Sequence, residues 1–297
     1  MMKMETSPSF IKFKILISYT YNHINIHFKY RLCFDYDNGL FCTWGVQYIA
    51  ISNPSTRELK CFDVPGEELK FLCSIGFEPE EKKYKVVLTI DIEEGLSRAW
   101  VFTLDIDTSW REMIKYNQHI SPCKTAICIS GIIYRFSYSL VCIAAFDVKS
   151  ESFTRITTSI EFHNGLCGSG YEDYMLIDAN GKLGILTFPP LRRTEYINIW
   201  IFDEEWEHQI FQFPLGWKHD IELNTKKVCK YGSEEIVFAI NMTSSDVLVF
   251  FFYHVKNKSW RYLEVKGFPY WVENIFTYSE SLFSLKNIGL PTIITTI

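Results

Sequence analysis

A short phrase recurs five times along this chain of 297 residues: an apolar run, an Asn, Asp or His, a polar turn, then an aromatic residue or Leu. It reads Ile51-Ser52-Asn53-Pro54-Ser55-Thr56-Arg57-Glu58-Leu59 early on and Ala145-Phe146-Asp147-Val148-Lys149-Ser150-Glu151-Ser152-Phe153 in the middle. Near the end it is Phe252-Tyr253-His254-Val255-Lys256-Asn257-Lys258-Ser259-Trp260. Shorter copies are Leu104-Asp105-Ile106-Asp107-Thr108-Ser109-Trp110 and Phe202-Asp203-Glu204-Glu205-Trp206. The anchors stand at 53, 105, 147, 203 and 254, in steps of 52, 42, 56 and 51 residues. Strand–turn–strand units at that period are the spacing of propeller blades. Each copy makes physical sense as a β-hairpin. An Asn or Asp opening the turn accepts backbone N–H groups two residues on, and the following ring returns to the sheet to be buried. A second piece, Ile129-Ser130-Gly131-Ile132 and Asp178-Ala179-Asn180-Gly181-Lys182, supplies another turn per unit. The expected fold is a single all-β domain, a kelch-like propeller of six blades or an irregular variant.

Apolar residues make up 47% of the chain and aromatic ones 16%, enough for a large core in one unit of this length. Apolar positions alternate or run in blocks of four to seven between turn residues, and no long helical stripe is found. Val247-Leu248-Val249-Phe250-Phe251-Phe252-Tyr253 is too short to span a bilayer and reads as a buried inner strand, so no membrane is expected as a partner. The net charge of -5 argues against a nucleic-acid platform, and the basic string Phe28-Lys29-Tyr30-Arg31 reads as a strand edge. Cysteines at 33, 42, 61, 73, 123, 128, 142, 167 and 229 are odd in number, lack Cys-x-x-Cys spacing and sit mostly in apolar runs. They are expected as reduced core residues, which fits the cytoplasm or nucleus.

The candidates for chemistry are thin. His23 and His27 have i, i+4 spacing but no third ligand beside them. Asp203-Glu204-Glu205-Trp206-Glu207-His208 falls on a predicted turn, where a charge run is ordinarily exposed. Gly168-Ser169-Gly170 lacks the residues of a phosphate loop or nucleophile elbow. Thr103 to Trp110 resembles the Asp-box turn of sialidase-type propellers, with Asp107 where that turn has Gly, and reads as a blade turn. No catalytic, cofactor-binding or metal residue is assigned, no cofactor is expected, and the protein-binding residues are left open. Trp44, Trp206, Trp217 and Trp271 read as core rings rather than contacts.

Residues about 30–285 resemble the F-box-associated domain of plant F-box proteins, in its propeller "type 3" form. The resemblance rests on many pieces in order. They include Arg31-Leu32-Cys33-Phe34 with Asn38-Gly39-Leu40-Phe41-Cys42, Asn53-Pro54-Ser55-Thr56-Arg57, and Ile75-Gly76-Phe77-Glu78-Pro79 with Tyr84-Lys85-Val86-Val87. Trp110-Arg111, Cys128 to Tyr134, Phe146-Asp147-Val148, Gly181-Lys182-Leu183-Gly184, Ile199-Trp200, Glu235 to Phe238 and Glu280 to Leu285 follow. The resemblance implies a non-enzymatic domain that recognises a protein target for a cullin–RING ubiquitin ligase. Family members begin with a helical F-box that docks the Skp adaptor. Residues 1–29 show neither its opening phrase nor its periodicity, so the division expected is 1–29, an N-terminal segment without a recognisable F-box, and 30–297, the propeller. Skp and cullin contact is then expected only for a longer product carrying an F-box. The alternative is a propeller enzyme or lectin acting on glycans.

Overall fold

A computed structural model describes residues 33–45, 48–65, 71–91, 97–113, 126–137, 142–159, 162, 174–187, 196–212, 223–231, 234–242, 247–267, 279–286 and 288. These residues form five four-stranded antiparallel blades of a β-propeller. The first holds β1 (Cys33–Asp37), β2 (Leu40–Trp44), β3 (Tyr48–Asn53) and β4 (Glu58–Asp63). The second holds β5 (Phe71–Glu78), β6 (Lys83–Asp91), β7 (Ser97–Thr103) and β8 (Arg111–Met113). The third holds β9 (Ile127–Ile129), β10 (Ile132–Phe136), β11 (Cys142–Asp147) and β12 (Ser152–Thr157). The fourth holds β13 (Tyr174–Ala179), β14 (Lys182–Thr187), β15 (Tyr196–Asp203) and β16 (Glu205–Gln212). The fifth holds β17 (Leu223–Tyr231), β18 (Glu235–Met242), β19 (Val247–His254) and β20 (Ser259–Lys266).

Within each blade the strands follow one another in chain order. The first strands meet around the centre, β1 against β5 and β9, and β9 against β13. A single parallel pairing, Ala179 with Tyr231, joins the fourth and fifth blades. Strands between two neighbouring blades are apolar on both faces: β5 is buried at seven of its eight positions, and β19 at six of eight. The run at 247–253 is therefore the buried interior strand its sequence announces, standing third from the centre. The outermost strands alternate or lie open, as β12 and β16 do.

Four anchors open the turn between the third and outer strand of a blade, and Asp105 lies within the corresponding β7–β8 turn, left-handed at φ 66°. Asn53 Oδ1 accepts Ser55 N–H at 2.9 Å, and Asp147 Oδ1 accepts those of Lys149 and Ser150 at 2.8 and 3.0 Å. His254 Nδ1 accepts Asn257 N–H at 3.3 Å. In the three long copies the fifth turn residue swings into the left-handed region, Arg57 at φ 59°, Glu151 at 53° and Lys258 at 48°. The blade count corrects the expected six. One anchor belongs to each blade, so the five phrases had already numbered them.

The first turn of three blades is a two-residue reversal with both φ positive: Asn38-Gly39, Ser130-Gly131 and Asn180-Gly181. That geometry matches the twist of the flanking strands. Backbone bonds then tie the two turns of a blade together, Val148 N–H to Gly131 O at 2.9 Å and Val255 N–H to Glu234 O at 2.8 Å.

In the second to fifth blades the aromatic residue after the anchor clamps its blade to the one before. Trp110 Nε1–H donates to Asp63 O at 3.0 Å, Trp206 to Thr157 O at 2.7 Å, and Trp260 to Gln212 O at 3.0 Å. In every case the acceptor lies at or next to the end of the preceding blade's outer strand. Phe153 fills the same place in the third blade and packs among Ala99, Ala144 and Leu72.

Candidate functional site

Buried polar groups gather where the first three blades meet. Asp35 on β1 is 3% exposed; its Oδ1 accepts Tyr36 N–H at 2.9 Å and its Oδ2 accepts Ile75 N–H at 3.4 Å. Asp37 Oδ2 accepts Phe77 N–H at 2.6 Å, so two carboxyls of β1 hold the backbone of β5. Arg135 of β10 reaches the same region and donates to Cys73 O at 2.9 Å. Burial pushes Asp35 up to about 7 despite the attraction of Arg135. Burial likewise raises Asp37 to about 6, against the hydrogen bond it receives from Cys128. The Cys42 and Cys73 sulfurs lie 3.3 Å apart, and burial lifts the Cys42 and Cys128 thiols well above their ordinary range. Thiols held protonated in apolar surroundings are poor nucleophiles and poor metal ligands.

A second constellation lies on the rim formed by the first and last turns of each blade. Glu151, at the turn between β11 and β12, receives Arg111 at 2.7 and 2.8 Å and Lys85 at 2.7 Å. Arg111 also meets Asp107 at 3.0 Å. The bidentate bond from Arg111, helped by Lys85, pulls the Glu151 carboxyl down to about 2. Lys149 and Glu80 add an exposed pair across the same join.

Around the first blade the rim is occupied by the segment 279–286 with Ile288. Asn53 Nδ2 donates to Ser281 O at 2.9 Å and to Phe283 O at 2.8 Å. Ser279 N–H donates to Tyr36 Oη at 2.8 Å, and Leu285 N–H to Glu58 Oε2 at 2.6 Å. That last bond lowers the Glu58 carboxyl below its usual range. Gly39 backs directly onto this segment: a Cβ there would stand 2.5 Å from Ser281 Cβ. Leu285 and Ile288 are buried in the core shared by the first two blades.

These clusters bind one part of the molecule to another. Their carboxylates face backbone N–H groups, Arg111 or Lys85 rather than an open cleft. Between the second and third blades a cavity of about 20 Å³, lined by Ser74, Thr89, Arg135 and Phe146, has room for one water. Among the described residues no three His, Cys, Asp or Glu side chains are placed to hold a metal ion. The carboxylate pair a glycan-cleaving propeller needs is not assembled by Asp35, which is buried, and Asp37, both of which are committed to the backbone of β5.

The Asp203–His208 run is a turn and the start of an outer strand, as expected, with Glu204 left-handed at φ 65°. His208 stacks on Trp200 at 4.5 Å and 4°. Thr103–Trp110 is a blade turn in which Asp107 Oδ2 accepts Thr103 N–H at 2.7 Å. Trp44 is core at 5% exposure, and Trp206 is half-buried with its indole engaged in the join described above. Trp217, Trp271, His23, His27, residues 28–31 and Gly168-Ser169-Gly170 lie outside the described residues. Sequence reasoning missed Asp35, Asp37, Glu151 and Arg111. The one signal available was an Asp in apolar surroundings, at Phe34-Asp35-Tyr36-Asp37.

Five successive four-stranded antiparallel blades whose first strands meet at the centre define a protein of the propeller class. The chain belongs to the F-box associated beta propeller domain family, whose profile matches residues 4–287. An F-box protein of Arabidopsis thaliana is 30% identical over 243 residues, which is 78% of this chain and 59% of that protein. An F-box/LRR-repeat protein of the same plant is 25% identical over 264 residues, again 78% and 59%. Another of its F-box proteins is 27% identical over 286 residues, 87% of this chain and 69% of that one. The chain thus spans about three fifths of the length of the first two relatives.

Proposed function

We propose that this chain is the target-binding part of an F-box receptor: the propeller holds a protein substrate, and an F-box in the same receptor brings the Skp adaptor of a ubiquitin ligase. The work is done in the cytoplasm or nucleus and involves no chemistry by the propeller itself. The observation that carries this reading is the family match over residues 4–287.

The test has two arms. Proximity labelling in plant cells with residues 1–297 fused to a biotin ligase should yield a protein that then binds the purified chain directly. Purified Skp adaptor should not be retained by residues 1–297, and should be retained once an F-box is fused to them, with ubiquitination of the bound protein following. Tight adaptor binding by residues 1–297 alone would overturn the division of labour. Failure of the fused receptor to modify any direct binder would overturn the assignment to a ligase.

A further inference from the structure

Among the described residues the five outer strands end their sheets, and four of them are built against pairing with another basic segment. Short length, charged side chains and Pro are the common devices, and Lys or Arg on the strand repels a basic partner in particular. β8 has three residues and includes Arg111, while β4 carries Lys60, β12 carries Arg155, and β20 carries Arg261 and Lys266. β16 is the exception: eight residues, Glu205-Trp206-Glu207-His208-Gln209-Ile210-Phe211-Gln212, with neither Lys, Arg nor Pro. Among the described residues its sheet ends there, paired on one side only, with β15. Seven of its eight side chains are not buried, and five of them are exposed: Glu205, Glu207, His208, Ile210 and Gln212. Ile210 is 60% exposed, and Tyr196, two residues from its cross-strand partner Asn198 on the same face of β15, is 46% exposed.

We infer that β16 is a docking edge, and that its occupant is an extended basic segment of a partner protein added as a further antiparallel strand. This deepens, and rests on, the reading of the propeller as a protein-binding platform. The register follows from the alternation of side chains. Glu205 and Glu207 share the face turned toward the fifth blade, where buried Phe211 also lies. Ile210 points to the opposite face, with Trp206 and His208. A strand laid antiparallel against β16 places one cation opposite each Glu, two residues apart, and an apolar residue opposite Ile210. The partner therefore reads apolar-x-x-cation-x-cation. Main-chain hydrogen bonds supply affinity, and these three side chains supply selection. Asp203 is already paired with Lys182, so the acidic contribution comes from the strand itself.

The probe is the acetylated and amidated peptide Thr-Val-Thr-Thr-Lys-Thr-Lys-Thr, labelled for fluorescence anisotropy and titrated with residues 1–297. Binding is expected at low salt, weakening at least tenfold when both Glu205 and Glu207 are changed to Lys. It should weaken similarly for Ile210→Lys, which gives β16 the protection its sister edges have. A peptide N-methylated on alternate amides facing the edge should not bind. Circular dichroism of both variants should match the parent, since all three positions are exposed. No binding by the parent chain, or binding that survives charge reversal and N-methylation alike, overturns the docking edge. A direct target found by proximity labelling whose affinity is untouched by Glu205→Lys/Glu207→Lys also overturns it, while leaving the platform reading intact.

Discussion

Asp35 has been taken out of water on β1, at the meeting point of three blades, and its carboxyl is kept protonated to about pH 7 by that burial. An unfolded chain would shed the same proton near 3.8. Between those values the folded state binds the extra proton, so stability falls as pH rises from about 4 to about 7. The full span corresponds to a loss on the order of 4 kcal/mol. Asp37 adds to the loss in the lower part of that window, up to about 6. Glu151 works in the opposite sense. Its folded value of about 2 lies below its ordinary 4.5, so its contribution is complete above about 4.5 and disappears as pH falls toward 2. The two windows barely overlap. Asp35→Asn keeps the side-chain shape and one acceptor but cannot ionise. Urea-unfolding free energies of this variant, measured from pH 4.5 to 7, are expected to run flatter than those of the parent, with the remaining slope due to Asp37. Parallel curves would refute the assignment.

At the scale of the element, the blade is a meander whose last turn and following ring are both written locally, which is why this much was legible. An Asn, Asp or His that satisfies N–H groups two or three residues away is a short-range choice, and its period along the chain numbers the blades. The partners of the rings were not legible. Nothing in Phe202-Asp203-Glu204-Glu205-Trp206 says that the indole will meet Thr157 O, 49 residues earlier in the chain, because that acceptor is chosen by the packing of two blades. The edge character of β16 escaped notice for a related reason: its acidic run looks like any solvated turn until the sheet order shows that no described strand pairs beyond it. Trp206→Phe separates the two contributions of the ring. It keeps the apolar contact with Phe202 and deletes only the N–H donor to a carbonyl. A loss of about 1 kcal/mol is expected in chemical denaturation, against about 3–5 kcal/mol for Trp206→Ala. Equal losses for the two variants would mean that the ring, not its donor, is irrelevant or that the blade edge has rearranged.

For the whole molecule the question is what ties the far end of the chain back to its first blade, since the blades meet mainly through neighbours in sequence and through their first strands. Asn53 answers part of it. Its Oδ1 closes its own turn through Ser55, while its Nδ2 grips the carbonyls of Ser281 and Phe283, the former 228 residues away. Glu58, Tyr36 and Tyr84 hold the same segment through Leu285, Ser279 and Ser281. Leu285 and Ile288, 1% and 2% exposed, anchor it in the core of the first two blades. The strap was read in the sequence as one more family phrase, Glu280 to Leu285, and its destination could not be: a contact this distant leaves no periodic trace. Asn53→Ala is expected to cost about 2–3 kcal/mol, because it strands two carbonyls as well as losing the turn bond. Removing the chain after residue 278 deletes the strap and both carbonyls with it. If the main task of Asn53 is to hold the strap, Asn53→Ala must then cost only the turn bond, about 1 kcal/mol, in the shortened chain. Should the shortened chain fail to fold, Leu285→Ala in the full chain replaces it, with an expected loss of about 2–5 kcal/mol and a smaller added effect of Asn53→Ala than in the parent. Strict additivity in either background would show that the strap and the first blade's turn are independent, and that the far end of the chain is tied down elsewhere.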